Sequence, residues 1–164
     1  MKIAVKRTGL MLGLSWLVLA CQPSANGSGE VEQEVSSLDK VVEVYLSLKD
    51  AFVASDQEAA QEQAQVLVAS LSGVEGTEEL AQGAKAIAGT SDLEEQREQF
   101  ENLSDAIYKV VSKSDAVEKT LYRQYCPMAF DDKGAFWISD SDQVRNPYFG
   151  DAMLKCGSVK EVIE

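Results

Sequence analysis

Thr120-Leu-Tyr-Arg-Gln-Tyr-Cys-Pro-Met-Ala-Phe-Asp-Asp-Lys-Gly-Ala-Phe-Trp-Ile-Ser139 is the stretch on which the fold turns. Up to about residue 114 the apolar residues recur at helical spacing. Here they alternate instead, and aromatic residues become dense, which is the pattern of a half-buried strand. Residues 120–126 predict one strand and Ala135–Ser139 a second. Asp131-Asp-Lys-Gly134 supplies the turn, so 120–139 reads as a β-hairpin. Asn146-Pro-Tyr-Phe-Gly150 reads as a constrained turn, and 158–163 as a third short strand.

On the N-terminal side lie four helical stripes. Leu38, Val41, Val42, Tyr45, Leu48 and Phe52 form the first, with Ser36 and Asp39 resembling a capping box. The second opens at Ser55 with Glu58 and carries Ala60, Ala64, Leu67 and Leu71, before a Gly-Val-Glu-Gly break at 73–76. A short third helix over 77–88 turns Leu80, Ala84 and Ile87 inward. The fourth opens at Ser91 with Glu94 and carries Leu93, Phe100, Leu103, Ile107 and Val110. Short connections between such stripes suit antiparallel packing. The expected fold is mainly α: an up-down four-helix bundle with a small C-terminal antiparallel β element. It forms one domain over 34–164, with the bundle in 34–114 and the β-containing region in 115–164.

The first 33 residues read differently. Lys2, Lys6 and Arg7 precede an apolar run from Leu10 to Leu19, which ends in Val18-Leu19-Ala20-Cys21. That is the pattern of a secretory signal peptide over 1–20, cleaved before a lipid-modified Cys21. The run is about half as long as the segment needed to cross a bilayer core of about 30 Å. Residues 21–33 then form a lipidated flexible tether, rich in small and polar residues. Attachment through lipid on Cys21 makes the membrane a partner. Gln22 after the cysteine favours the periplasmic side of the outer membrane over the inner membrane.

Composition narrows the function. The chain has 15 basic and 27 acidic residues, a net charge of −12; without the three basic residues of the signal it carries −15. Such a charge repels nucleic acid. There is no histidine, which removes the Ser-His-Asp and Cys-His nucleophilic arrangements and the common zinc sets. The expectation is therefore a non-enzymatic protein. Asp131, Asp132, Asp140, Asp142 and Asp151 lack the spacing of a calcium loop and read as turn-forming residues. Trp137, Phe136, Tyr122, Tyr125, Tyr148 and Phe149 read as a small aromatic core between hairpin and bundle.

Past residue 21, every cysteine and methionine falls in two clusters, Cys126-Pro-Met128 and Met153-Leu-Lys-Cys156. Two readings stand. Two thiolates and two thioethers are a soft ligand set that selects Cu(I) or Ag(I) over hard cations, with Cys126, Met128, Met153 and Cys156 as the metal ligands. In an oxidising compartment, two cysteines instead pair as a Cys126–Cys156 disulfide. Closing a loop of about thirty residues would stabilise the fold by roughly 3–4 kcal/mol, and the methionines would then be packing residues.

Tyr122-Arg-Gln-Tyr-Cys-Pro-Met-Ala-Phe130, Gly134-Ala-Phe-Trp-Ile-Ser139 and Arg145-Asn-Pro-Tyr-Phe-Gly-Asp-Ala-Met-Leu-Lys-Cys-Gly157 together resemble a bacterial domain family of unknown function. That family occurs alone in exported proteins and attached to periplasmic adaptor subunits of copper/silver-type efflux systems. The resemblance runs back through Tyr45-Leu-Ser-Leu-Lys-Asp-Ala51 and the Leu93–Ser104 helix. It implies a role in heavy-metal handling and an efflux adaptor as partner, and it brings the metal reading level with the disulfide. A looser likeness is to a metal-binding Cys-Pro-Met-His-Pro motif followed by Cys-Gly-Met. Here Ala129 replaces the histidine and Ser158 the methionine, leaving Met153 as the second thioether.

Overall fold

The structure is a computed structural model and describes residues 28–114 and 119–164. The signal peptide, Cys21 and most of the tether lie outside the described residues. Four helices come first: α1 (Ser28–Val53), α2 (Gln57–Ser70), α3 (Glu78–Ala88) and α4 (Leu93–Val111). Three strands follow: β1 (Leu121–Cys126), β2 (Ala135–Ser139) and β3 (Ser158–Ile163). The protein is thus mainly helical with a small C-terminal three-stranded antiparallel sheet. No described helix is long and apolar enough to cross a membrane.

The apolar stripes form the core as their spacing predicts. Val41, Val42, Tyr45, Leu48 and Phe52 of α1, Ala60, Ala64 and Leu67 of α2, Leu80, Ala84 and Ile87 of α3, and Phe100, Leu103 and Ile107 of α4 are all buried. Leu93 and Val110, at the ends of the fourth stripe, are only partly buried. Consecutive helices pack on one another. Gly83 lets α3 approach α4 closely, because a Cβ there would sit 3.2 Å from Leu103 Cβ. Phe100 joins α4 to α1, with its ring 5.4 Å from Tyr45 and 4.8 Å from Phe52 between centroids.

Three helix starts differ from the sequence expectation. α1 already begins at Ser28 and runs through Ser36, so the box read at Ser36 does not cap it and the helix takes in residues 28–33. α2 is capped by Asp56, whose carboxylate accepts from Ala59 N at 3.0 Å, and not by Ser55. α4 is capped by Asp92, accepting from Glu94 N and Glu95 N at 2.9 and 3.0 Å, and not by Ser91. In both cases the aspartate has the extended backbone that an N-cap requires.

The sheet order is β2-β1-β3. β1 pairs with β2 in the register Tyr122↔Ser139 to Cys126↔Ala135, which is the expected hairpin. β3 lies along the other edge of β1, from Leu121↔Ile163 to Tyr125↔Ser158, with a bulge between Arg123 and Gln124. An unpaired strand edge exposes backbone groups that water or a partner must satisfy. β2 solves this internally: its Ile138 N–H donates to Tyr45 Oη at 3.2 Å, and its Phe136 carbonyl accepts from the Tyr148 hydroxyl. Tyr45 also shares a 2.8 Å hydrogen bond with Ser104. One tyrosine from α1 and one from the 146–150 turn therefore seal that edge against the helices.

Candidate functional site

The loop from Cys126 to Ala135 is where the hairpin departs from a simple turn. Phe130, Asp131 and Asp132 take φ of 51°, 55° and 66°, three successive left-handed residues, and Gly134 follows at 78°. Left-handed backbone is costly for residues with a Cβ. The turn is held by packing: Phe130 meets Tyr148 edge-on at 5.2 Å, and Gly134 N donates to Ala129 O at 3.0 Å. Gly134 has no alternative residue, because a Cβ there would collide with the Tyr125 ring. Pro127 and Met128 lie on the outside of this loop, and Met128 is 47% exposed.

The second sulfur cluster is brought to the first by Asn146, which is fully buried. Its Oδ1 accepts from Tyr148 N at 2.8 Å and Phe149 N at 3.2 Å, and its Nδ2 donates to Cys156 O at 2.8 Å. Its backbone N–H donates to Leu154 O at 2.8 Å. One side chain thus ties the Asn-Pro-Tyr-Phe-Gly turn to the Met-Leu-Lys-Cys-Gly segment. Met153 and Cys156 close a further turn, with Cys156 N donating to Met153 O at 3.0 Å. Gly157, at φ 137°, then lets the chain pass close to β1; a Cβ would meet Tyr125 O at 2.8 Å and the Trp137 ring at 2.9 Å.

The result is that Cys126 and Cys156, thirty positions apart, lie side by side. Both are free thiols; Cys126 is wholly buried and Cys156 half-buried. The pairing of Tyr125 with Ser158 brings the two cysteines to the same end of β1, with the Cys156 sulfur close to Cys126 and to the Met128 backbone. Burial raises the Cys156 pKa, as does the neighbouring Cys126, against a lowering by the Met128 N–H. Met153 is partly buried. The structure therefore brings both cysteines together, with the Met128 backbone on the pair and Met153 one turn before it. Among the described residues, no group of three or more His, Cys, Asp or Glu side chains is gathered to hold a metal. A soft ion here would rest on the two thiolates, a donor pair fitting Cu(I) or Ag(I).

Of the six rings read as a core, only Trp137 and Tyr148 are buried; Tyr122, Tyr125, Phe136 and Phe149 are partly exposed, because strand alternation sends Phe136 to the face opposite Trp137, where it pairs with Tyr125 at 4.5 Å. Trp137 is fully buried and meets Tyr148 edge-on at 5.9 Å, and Tyr148 in turn lies 5.9 Å from Phe100. All five aspartates are exposed, and Asp140 lies 3.7 Å from the buried Lys49 Nζ.

Two arginines that the sequence reading passed over hold the site in place. Arg97 of α4 donates through Nε to Pro147 O at 3.0 Å, and through Nη2 to Ser55 Oγ at 2.9 Å and Phe52 O at 3.2 Å. It clamps the 146–150 turn to the α1–α2 junction, and burial lowers its pKa. Arg123 lies between Tyr108 and Phe136, 3.8 and 3.9 Å from the two ring centroids. Arg97, among the acidic residues of a helix, looks like any solvated charge, and Arg123 sits within the Tyr122–Phe130 motif without a signal of its own.

No match is found among curated proteins or among solved structures. The residues that carry the sulfur pair lie beyond the one stretch that does match. Residues 41–119, from within α1 to the threshold of β1, match the family model described as "Protein of unknown function (DUF3347)", and over that span the chain is similar to that family.

Proposed function

We propose that the protein is a non-enzymatic, lipid-anchored periplasmic module that binds a soft monovalent metal ion of the Cu(I) or Ag(I) type. In this reading Cys126 and Cys156 are the principal ligands, Met128 and Met153 supply thioethers, and an efflux adaptor is the partner. The anchor is the lipid on Cys21, on the periplasmic side of the outer membrane, and the helices follow up-down order. The observation that carries the reading is the β1–β3 pairing, Tyr125 with Ser158, which sets Cys126 and Cys156 side by side although thirty residues separate them. Soft thiolates neutralise the charge of such an ion and supply most of the affinity.

A second reading has its own support. Cys126 has 0% exposure, and a buried thiol beside its partner in an oxidising compartment is well placed for a structural disulfide. Native mass spectrometry of the protein, oxidised and reduced, with and without Cu(I), separates the two. One Cu(I) per reduced chain, lost in Cys156→Ser and weakened by Met128→Leu, supports the metal module. A chain two protons lighter as purified, taking no metal even after reduction, sinks it and leaves a disulfide-stapled interaction protein.

A further inference from the structure

Resting on the metal reading, we propose that the sulfur atoms form an inward relay: an ion is captured at Cys156, beside the solvent-facing Met128, and only then reaches Cys126. Four observations carry this. Exposure falls in order, from Met128 at 47%, through half-buried Cys156, to Cys126 at 0%. The pairing of Tyr125 with Ser158 sets Cys156, two residues before Ser158, alongside Cys126, so an ion on one is within reach of the other. Met128 follows Cys126 by two residues and its backbone lies close to Cys156, so the exposed thioether is carried on the loop beside the entry sulfur. Cys126 is shut in by its own surroundings, opposite Ala135 on β2 and within the apolar core. A thiol without solvent access cannot attack a bulky donor complex directly.

The chemistry is two ligand exchanges without change of oxidation state. Let the ion arrive as Ag(I) held by two molecules of a small thiol. In the first exchange the Cys156 S–Ag bond forms and one donor S–Ag bond breaks, and the Cys156 proton leaves on the departing donor thiol. In the second, Cys126 forms its S–Ag bond, the remaining donor S–Ag bond breaks, and that donor leaves carrying the Cys126 proton. The product is a dithiolate-bound ion, one per chain, with no donor retained. Low-coordinate thiolate binding suits Ag(I) and Cu(I), whereas zinc in a closed site asks for four ligands.

The test is to mix the reduced protein with Ag(I)–glutathione and follow native mass spectra over time. Wild type should end with one silver and no glutathione. Cys126→Ala should stop at a ternary species that retains one glutathione. Cys156→Ala should lose capture on the wild-type time scale, and Met128→Leu should reach the wild-type endpoint more slowly. In metal-free protein, iodoacetamide should label Cys156 before Cys126. Capture that survives Cys156→Ala and is lost in Cys126→Ala would overturn the relay while leaving metal binding intact. Wild type that takes no silver would overturn the metal reading and the relay together. Unchanged far-ultraviolet circular dichroism of each variant, with Cys156→Ser as a second substitution at the entry position, keeps a folding defect from being read as lost capture.

Discussion

Asn146 satisfies five backbone groups of other residues at once, three of them through its side chain, and it does so without any exposed surface. Removing its side chain strands the Tyr148 and Phe149 amides and the Cys156 carbonyl in a region with little water. Each buried polar group left unpaired costs about 1–3 kcal/mol. Asn146→Ala should therefore lower unfolding free energy by about 3 kcal/mol or more, read as a shifted urea midpoint. It should also loosen Cys156, seen as faster iodoacetamide labelling. Gly157 is the second residue of this kind. Its φ of 137° is nearly closed to residues with a Cβ, and the space is already filled by Tyr125 O and Trp137. Gly157→Ala should cost about 2 kcal/mol or more, checked by the same titration. A near-neutral result would mean that β3 does not approach β1 as described.

At the scale of the elements, the helix caps give a clean comparison. Ser91 and Asp92 are neighbours, and both residue types cap helices well. The geometry gives the role to Asp92 alone, with its carboxylate on Glu94 N and Glu95 N. Asp92→Ala should cost about 1 kcal/mol, and Ser91→Ala close to nothing, by thermal or denaturant melts. Equal effects would contradict the assignment. The sheet depends on elements outside it in the same way. Among the described residues no strand lies on the outer side of β2, and the hydroxyls of Tyr45 and Tyr148 bond Ile138 N and Phe136 O there. β3, by contrast, has an open outer edge, and its Lys160 and Glu161 are exposed, the kind of charge that discourages edge-to-edge association.

For the molecule as a whole, the same two tyrosines set a limit at high pH. Burial raises the pKa of both Tyr45 and Tyr148 above the ordinary tyrosine value of 10.0. The folded state therefore keeps protons that the unfolded chain gives up. Their contribution is fully present below about pH 10 and is lost as pH rises above it, at up to about 1.4 kcal/mol per pH unit for each group. Cys156, raised above 9.0, acts in the same direction and slightly earlier. Loss of helical circular dichroism should coincide with the appearance of tyrosinate absorbance in an alkaline titration. Tyr45→Phe should make the fall of stability with pH shallower. Tyrosinate that forms while the helices persist would show that these hydroxyls are not locked into the fold.

Much of the architecture is written in local pattern. Leu38 to Phe52 and Phe100 to Ile107 repeat at helical spacing, and a helix with such a stripe has one way to bury it. Thr120 to Ser139 alternates and is broken by Asp-Asp-Lys-Gly, so its two strands could be read to within a residue. Trp137 and Tyr148 could be read as core, but strand alternation leaves Tyr125 and Phe136 partly exposed on the opposite face of the sheet. The caps of α2 and α4 were missed by one residue because serine and aspartate compete on equal terms until the backbone angle is known. Nothing local placed β3 beside β1 instead of β2, tied Cys156 O to Asn146, or sent Arg97 to Pro147 and Ser55. The two sulfur clusters announced themselves by composition, but their meeting did not. It arises from contacts between residues far apart in the chain, and those are fixed only when the core packs and every buried polar group finds its partner.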